Sequence, residues 1–215
     1  ISSLQYDDCN PGTVISSWQS NQWSNLSNPL IMWQKPNDTG CGHQLSFDGR
    51  INNGTWTTNI VPNSYSSSSL SWSPFLNDGI HWIQIRTTDC ALPIGNSELG
   101  QGFEIKIDTI SPSIQVGSSS HGNNWSSNPT INIFANSTDY NPTISEISGS
   151  DEIWILLSRT SNIPFSDIIN SSDDEMQCQV NSACRINYSE NVSSGSYYIH
   201  AATIDKAGNK NWTTS

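Results

Sequence analysis

The 215-residue chain is poor in positive charge: eight Lys and Arg stand against nineteen Asp and Glu, a formal net charge of −11. A surface that tracks phosphates needs clustered cations, so nucleic acid is excluded as a partner. Long apolar runs are missing as well. The longest bulky stretch, Ile153–Leu157, is too short to span a bilayer as a helix, so no membrane span is expected. There is no initiator Met and no signal peptide at Ile1, which reads as a processed product or a piece of something longer. Nor does the chain carry G-x-S-x-G, H-E-x-x-H or a glycine-rich phosphate loop. Its four histidines are scattered, and its carboxylate pairs sit on turns with nothing to separate their pKa values. The expectation is a protein without catalytic function.

What is abundant is polar and small: 38 Ser, 15 Thr and 24 Asn. Such a composition permits disorder, but nine Trp and regularly spaced Ile argue for a packed fold. The five cysteines (Cys9, Cys41, Cys90, Cys178, Cys184) form no CxxC pair with zinc-ligand spacing. Cys178 and Cys184 enclose a short polar stretch and are expected to form a small surface disulfide, which places the protein in an oxidising compartment. N-x-S/T sequons at Asn25, Asn37, Asn53, Asn124, Asn136, Asn170, Asn187, Asn191 and Asn211 point the same way, as candidate glycosylation sites. An extracellular or cell-surface location follows as the expectation.

The strongest signal is internal similarity. "NQWSNLSNPLIMW" (21–33) matches "GNNWSSNPTINIF" (122–134) with one residue dropped, and "DGIHWIQIRTTD" (78–89) matches "SGSYYIHAATID" (194–205) without a gap. The offset grows from about 100 to 116 residues, leaving about 16 extra residues inside the second copy. Both copies alternate with period two. His81, Ile83, Ile85 and Thr87 fall on one face, as do Tyr197, Ile199, Ala201 and Thr203. In "FEIKID" (103–108), Phe103, Ile105 and Ile107 are read as inward, Glu104, Lys106 and Asp108 as outward. Short alternating runs between Gly/Asn/Pro/Ser clusters predict an all-β sandwich.

The Trp…Asn-Pro strand, the Gly-to-Asp strand ending in T-x-D and then G-N, and the junction "IDTISP" together resemble tandem immunoglobulin-like or fibronectin-III-like repeats of large prokaryotic cell-surface proteins. That resemblance implies architecture and location more than an activity. It implies two tandem Ig-like domains, 9–110 and 111–215, preceded by a strand-like segment 1–8. His81 and Tyr197 stand where a tyrosine corner would pin each sandwich. With Gly102–Asp108 as the last strand of the first domain, the second is expected to lack its final strand within this chain. One explanation is a window cut from a longer array. Another is donor-strand complementation between copies, as in a pilus-like filament, since an open sheet edge invites an added strand. A third is that residues 210–215 form a shortened, self-sufficient strand of their own.

In such a sandwich the chain entry and two of its turns gather at one pole. Asp108, Asp139 and Asp205 meet there in the second domain, and Asp7 or Asp8, Asp38 and Asp89 in the first. Converging carboxylates are a candidate Ca²⁺ site, with Asp78 joining from the other side. The competing reading is that Asp is favoured in turns because it bonds nearby backbone N–H groups. The same poles bring Cys41 and Cys90 together as a candidate disulfide. Asp173, Asp174 and Glu175 read as a solvated acidic loop. Trp82 and Trp154 alternate outward, an arrangement that also suits stacking of surface glycans. The function expected is that of a structural module of a surface layer, adhesin stalk or filament. Its partners are neighbouring Ig-like domains or copies of itself, and a carbohydrate-binding module is the alternative.

Overall fold

A computed structural model describes residues 22–35, 45–61, 69–88, 97–100, 102–118, 125–140, 148–177 and 183–215. Residues 1–8, Cys41, Cys90, Cys178, Asn37 and Asn124, on which several expectations rest, lie outside these. The fold is all-β with one short helix among the described residues. The chain divides into two compact units, with the boundary between Ile107 and Asp108 and with Trp23–Asn25 counted in the second.

The two-residue β1 (Trp23–Ser24) belongs to the second unit. In the first unit, β2 (Ile31–Gln34) pairs with β4 (Ser69–Trp72). β3 (Ser46–Ile51), β5 (Gly79–Thr88) and β7 (Phe103–Ile107) form a second sheet with β5 central, and β6 (Ser97–Leu99) pairs with the end of β5. The pairings among β2 to β6, and that of β7 with β5, are antiparallel. Ile31, Trp33, Phe47, Leu70, Ile83, Ile85, Ile105 and Ile107 fill the space between the sheets. Each such side chain removed from water contributes roughly 1.5–3 kcal/mol.

The second unit repeats the pairing scheme. β8 (Ser113–Ser118), β9 (Thr130–Thr138) and β12 (Ala183–Asn191) form one sheet, with β9 in the middle. β10 (Ser150–Ser158) and β13 (Tyr198–Asp205) are central in the other, flanked by β11 (Asp174–Gln177) and β14 (Lys210–Thr214). Thus β2–β4 corresponds to β9–β12, and β3–β5 to β10–β13. Ile133, Ala135, Ile153, Ile155, Ile186, Ile199 and Ala201 form its core. The inward positions read from the sequence agree between copies: Ile83, Ile85 and Thr87 are buried, and so are Ile199, Ala201 and Thr203. The corner positions agree too. His81 Nε2 lies 2.7 Å from Asn77 O, and the Tyr197 hydroxyl donates to Ser193 O at 3.1 Å, each reaching a carbonyl four residues upstream.

Four expectations are corrected. A final strand is present in the second unit. The Asp205 N–H donates to Asn209 O and the Gly208 N–H to Asp205 O, closing a tight turn helped by the left-handed φ of 92° at Gly208. β14 therefore starts at once, with Lys210–Trp212 against Ala202–Ile204 as Ser97–Leu99 lie against Arg86–Thr88. It takes the register of β6, not that of β7. Second, the acidic stretch is not a free loop. Asp174–Gln177 pairs with Glu152–Ile155 as β11, and Asp173 accepts the Leu157 N–H. Third, Trp154 is buried although it alternates outward. A short helix, α1 (Phe165–Asn170), covers that side of the sheet with Phe165 and Ile168. Fourth, Asp108 is fully buried, because alternation ends with β7 at Ile107.

Candidate functional site

Three aspartates of the second unit come together where strands end. Asp108 opens the unit, Asp139 directly follows β9, and Asp205 is the last residue of β13. All three are buried, and one ligand oxygen from each lies within 4.8 Å of the others. Asp78, the fourth residue expected at such a site, precedes β5 in the first unit and is not one of the three.

Local chain geometry fixes each carboxylate. Asp108 Oδ1 accepts the Ile110 N–H at 3.2 Å and Oδ2 the Ser148 N–H at 2.9 Å. Its own N–H donates to Ser24 O. Asp139 Oδ2 accepts the Gly149 N–H at 2.7 Å and the Ser148 hydroxyl at 3.2 Å. Asp205 holds Asn209 twice, Oδ1 accepting its N–H and Oδ2 its side-chain amide, both at 2.8 Å. That amide also donates to the Asp108 and Ile110 carbonyls, tying the first turn of the unit to the last. The turn bonds that favour Asp in such positions are therefore real. They leave one atom out: Asp139 Oδ1 is buried and has no hydrogen-bond partner.

Every donor to the cluster is neutral. Burial pushes the Asp139 carboxyl above its ordinary range, and the neighbouring Asp108 charge adds to this. Burial likewise raises Asp205 to about 6. Inward of the carboxylates, the Ser137 hydroxyl meets Ser150 Oγ at 2.9 Å and Thr203 Oγ1 at 2.7 Å. The Thr203 hydroxyl donates to Glu152 O, so this layer satisfies itself. The set offers only hard oxygen ligands, with no sulfur or imidazole, which matches Ca²⁺ or Mg²⁺ and not zinc.

The remaining candidates scatter. Cys184 is disulfide-bonded, and the other four cysteines lie outside the described residues. Asn25, Asn53, Asn170, Asn187 and Asn191 are exposed sequon positions, Asn53 in a tight left-handed turn with Asn52. Asn136 is half-buried within β9, and the half-buried Asn211 donates its side-chain amide to Pro112 O at 2.8 Å. Trp82 is 43% exposed and Trp154 only 8%, so the two do not form an exposed aromatic pair. His200, fully buried, bridges Thr214 Oγ1 and Thr160 O, and burial lowers its pKa. The sequence had no signal for the donors Ser148 and Gly149, since neutral residues in polar turns are everywhere in this chain, whereas Asn209 is the Asn of the repeated G-N. Compared with family models and with curated proteins, the chain matches none.

Proposed function

We propose that the chain is a non-catalytic structural module of an extracellular assembly, built as two tandem Ig-like sandwiches from a duplicated unit. The observation that carries this reading is the repeated pairing scheme, β2–β4 with β3–β5 and β9–β12 with β10–β13, each around a separate core. Serial units with their own cores hold distance, which is a mechanical task. The disulfide at Cys184 supports an oxidising compartment. His81 and His200 support a role without catalysis, since structural hydrogen bonds occupy both rings.

The test is fractionation of the cells that make the protein, followed by peptide mass spectrometry. Recovery with the cell envelope is expected, with Cys184 oxidised and sugar on at least one of the exposed asparagines Asn25, Asn53, Asn170, Asn187 and Asn191. Cytosolic protein with Cys184 as a thiol overturns the reading.

A further inference from the structure

We propose that Asp108, Asp139 and Asp205 bind one Ca²⁺ ion, which locks the entry, β9 end and β13 turn of the second unit together. The inference is independent of where the protein works, so its failure would leave the structural reading standing.

Two separate observations carry it. The first is the convergence of three carboxylates, all buried, within 4.8 Å of one another. Their donors are Ile110 N, Ser148 N, Ser148 Oγ, Gly149 N, Asn209 N, the Asn209 amide and, more weakly, the Tyr140 N–H beside Asp139, none of which carries a formal charge. Neither described ion pair, Arg86–Asp48 or Lys106–Glu104, reaches them. Like charges confined in low dielectric repel strongly unless a counter-charge lies among them. The second is the single orphaned oxygen. Asp139 is 1% exposed, and its Oδ1 accepts nothing while Oδ2 takes two donors. A carboxylate oxygen stripped of water and given no donor is costly, and a cation is the ligand that satisfies it.

The surroundings are those of a pre-oriented site. Hydrogen bonds hold the other five carboxylate oxygens, two on Asp108, one on Asp139 and two on Asp205, fixing the direction of each group before an ion arrives. Calcium fits better than magnesium. It accepts six to eight oxygens in irregular arrangement, whereas Mg²⁺ demands near-octahedral geometry and keeps several waters, which this buried place does not suit. Three carboxylates supply the charge, and carbonyl oxygen completes the shell.

The experiment uses the full chain, stripped with chelator and returned to 1 mM CaCl₂, MgCl₂ or NaCl. Hydrogen exchange is read on peptides containing Ile110, Ser148–Gly149 and Asn209, whose amides donate to the three carboxylates. Calcium is expected to slow exchange there at least about tenfold, and to raise the melting temperature of the unit by roughly 10 °C at a hundredfold excess over Kd. Magnesium and sodium are expected to do neither. Asp139→Asn keeps the donor contacts at Oδ2 and places its amide where Oδ1 points, so it is expected to fold and to lose the calcium response. Equilibrium dialysis with radioactive calcium counts one ion fewer for this variant. Wild-type protein whose exchange ignores calcium overturns the proposal, as does an equal effect of magnesium. So does an Asp139→Asn chain that binds as many ions as wild type. Should that variant not fold, dialysis of wild-type protein alone decides, and absence of saturable binding below 1 mM overturns it.

Discussion

In the first unit the outward side of β5 stays half in solvent. In the second, the matching side of β13 lies under α1. By the repeat, Gln84 and Arg86 correspond to His200 and Ala202. The first pair reaches across the sheet at the surface: Arg50 donates to Gln84, Arg86 pairs with Asp48 at 2.6 Å, and both guanidiniums stack on Trp56. The second pair is fully buried. Where the side chain shrinks from Arg to Ala, Ile168 of the helix packs in, and Trp154 and Leu156 on β10 join the same small core. A short helix thus turns a wet sheet face into a second core without disturbing the pairing beneath it. Side-chain stacking closes the face in one copy, and backbone covers it in the other.

The largest test of this difference removes the aromatic under the helix. Trp154→Ala deletes a side chain enclosed by Phe165 and Ile168, whose ring meets Phe165 edge-on at 6.2 Å. A cost of about 3–5 kcal/mol is expected. Trp82→Ala, on the open face of the other unit, is expected to cost under about 1 kcal/mol. Urea denaturation of the two variants measures both. Equal losses would mean that α1 does not cover its sheet as described.

The units also handle buried charge differently, and pH exposes this. Asp48 has Arg86 beside it, whereas Asp205 shares its place with two more carboxylates. Its folded pKa of about 6 lies above the unfolded value of 3.8. The unfolded chain therefore loses this proton first as pH rises, so the stability it contributes is present below about pH 4 and gone above pH 6. In chelator the second unit should lose on the order of 2 kcal/mol across that window. Asp205→Asn should flatten the loss. His200 works in the opposite sense: its lowered pKa makes stability fall as pH drops below the unfolded value of 6.5. The wild-type minus variant difference removes the His200 contribution and leaves that of the aspartate cluster. A variant with an unchanged profile from pH 4 to 7 counts against a buried, uncompensated Asp205.

Much of this was legible in the residues, and the rest has physical causes. Period two identified Ile83, Ile85 and Thr87 together with Ile199, Ala201 and Thr203, because a pleated strand half in a core leaves no other pattern. The repeat brought Asp108, Asp139 and Asp205 to one end of the second unit, as the structure does, whereas Asp7, Asp8, Asp38 and Asp89 of the first lie outside the described residues. Burial of Asp108 was missed because alternation says nothing beyond the last ladder residue. Helix α1 was missed because six residues are less than two turns, too few for a periodic stripe. Trp154 followed from that miss, as its alternation is correct and only its cover was unseen. The orphaned Asp139 Oδ1 is a matter of ångströms that no spacing encodes.

The smallest effects separate the inner and outer faces of one sheet. A Cβ at Gly49 would sit 2.7 Å from the Trp72 ring and 3.1 Å from Ile60, and a Cβ at Gly102 would sit 2.4 Å from the Trp82 ring. By distance alone Gly102→Ala looks worse. Freedom to yield reverses the order. Trp72 and Ile60 are half-buried and pack against the main core of the first unit, so Gly49→Ala should cost about 1–3 kcal/mol as overpacking. Trp82 faces solvent and can swing off the strand, so Gly102→Ala should cost under about 1 kcal/mol while shifting tryptophan emission to the red. The reverse ranking would mean that Trp82 is held down by more than its glycine cradle, and that the open face of the first unit is closed by packing after all.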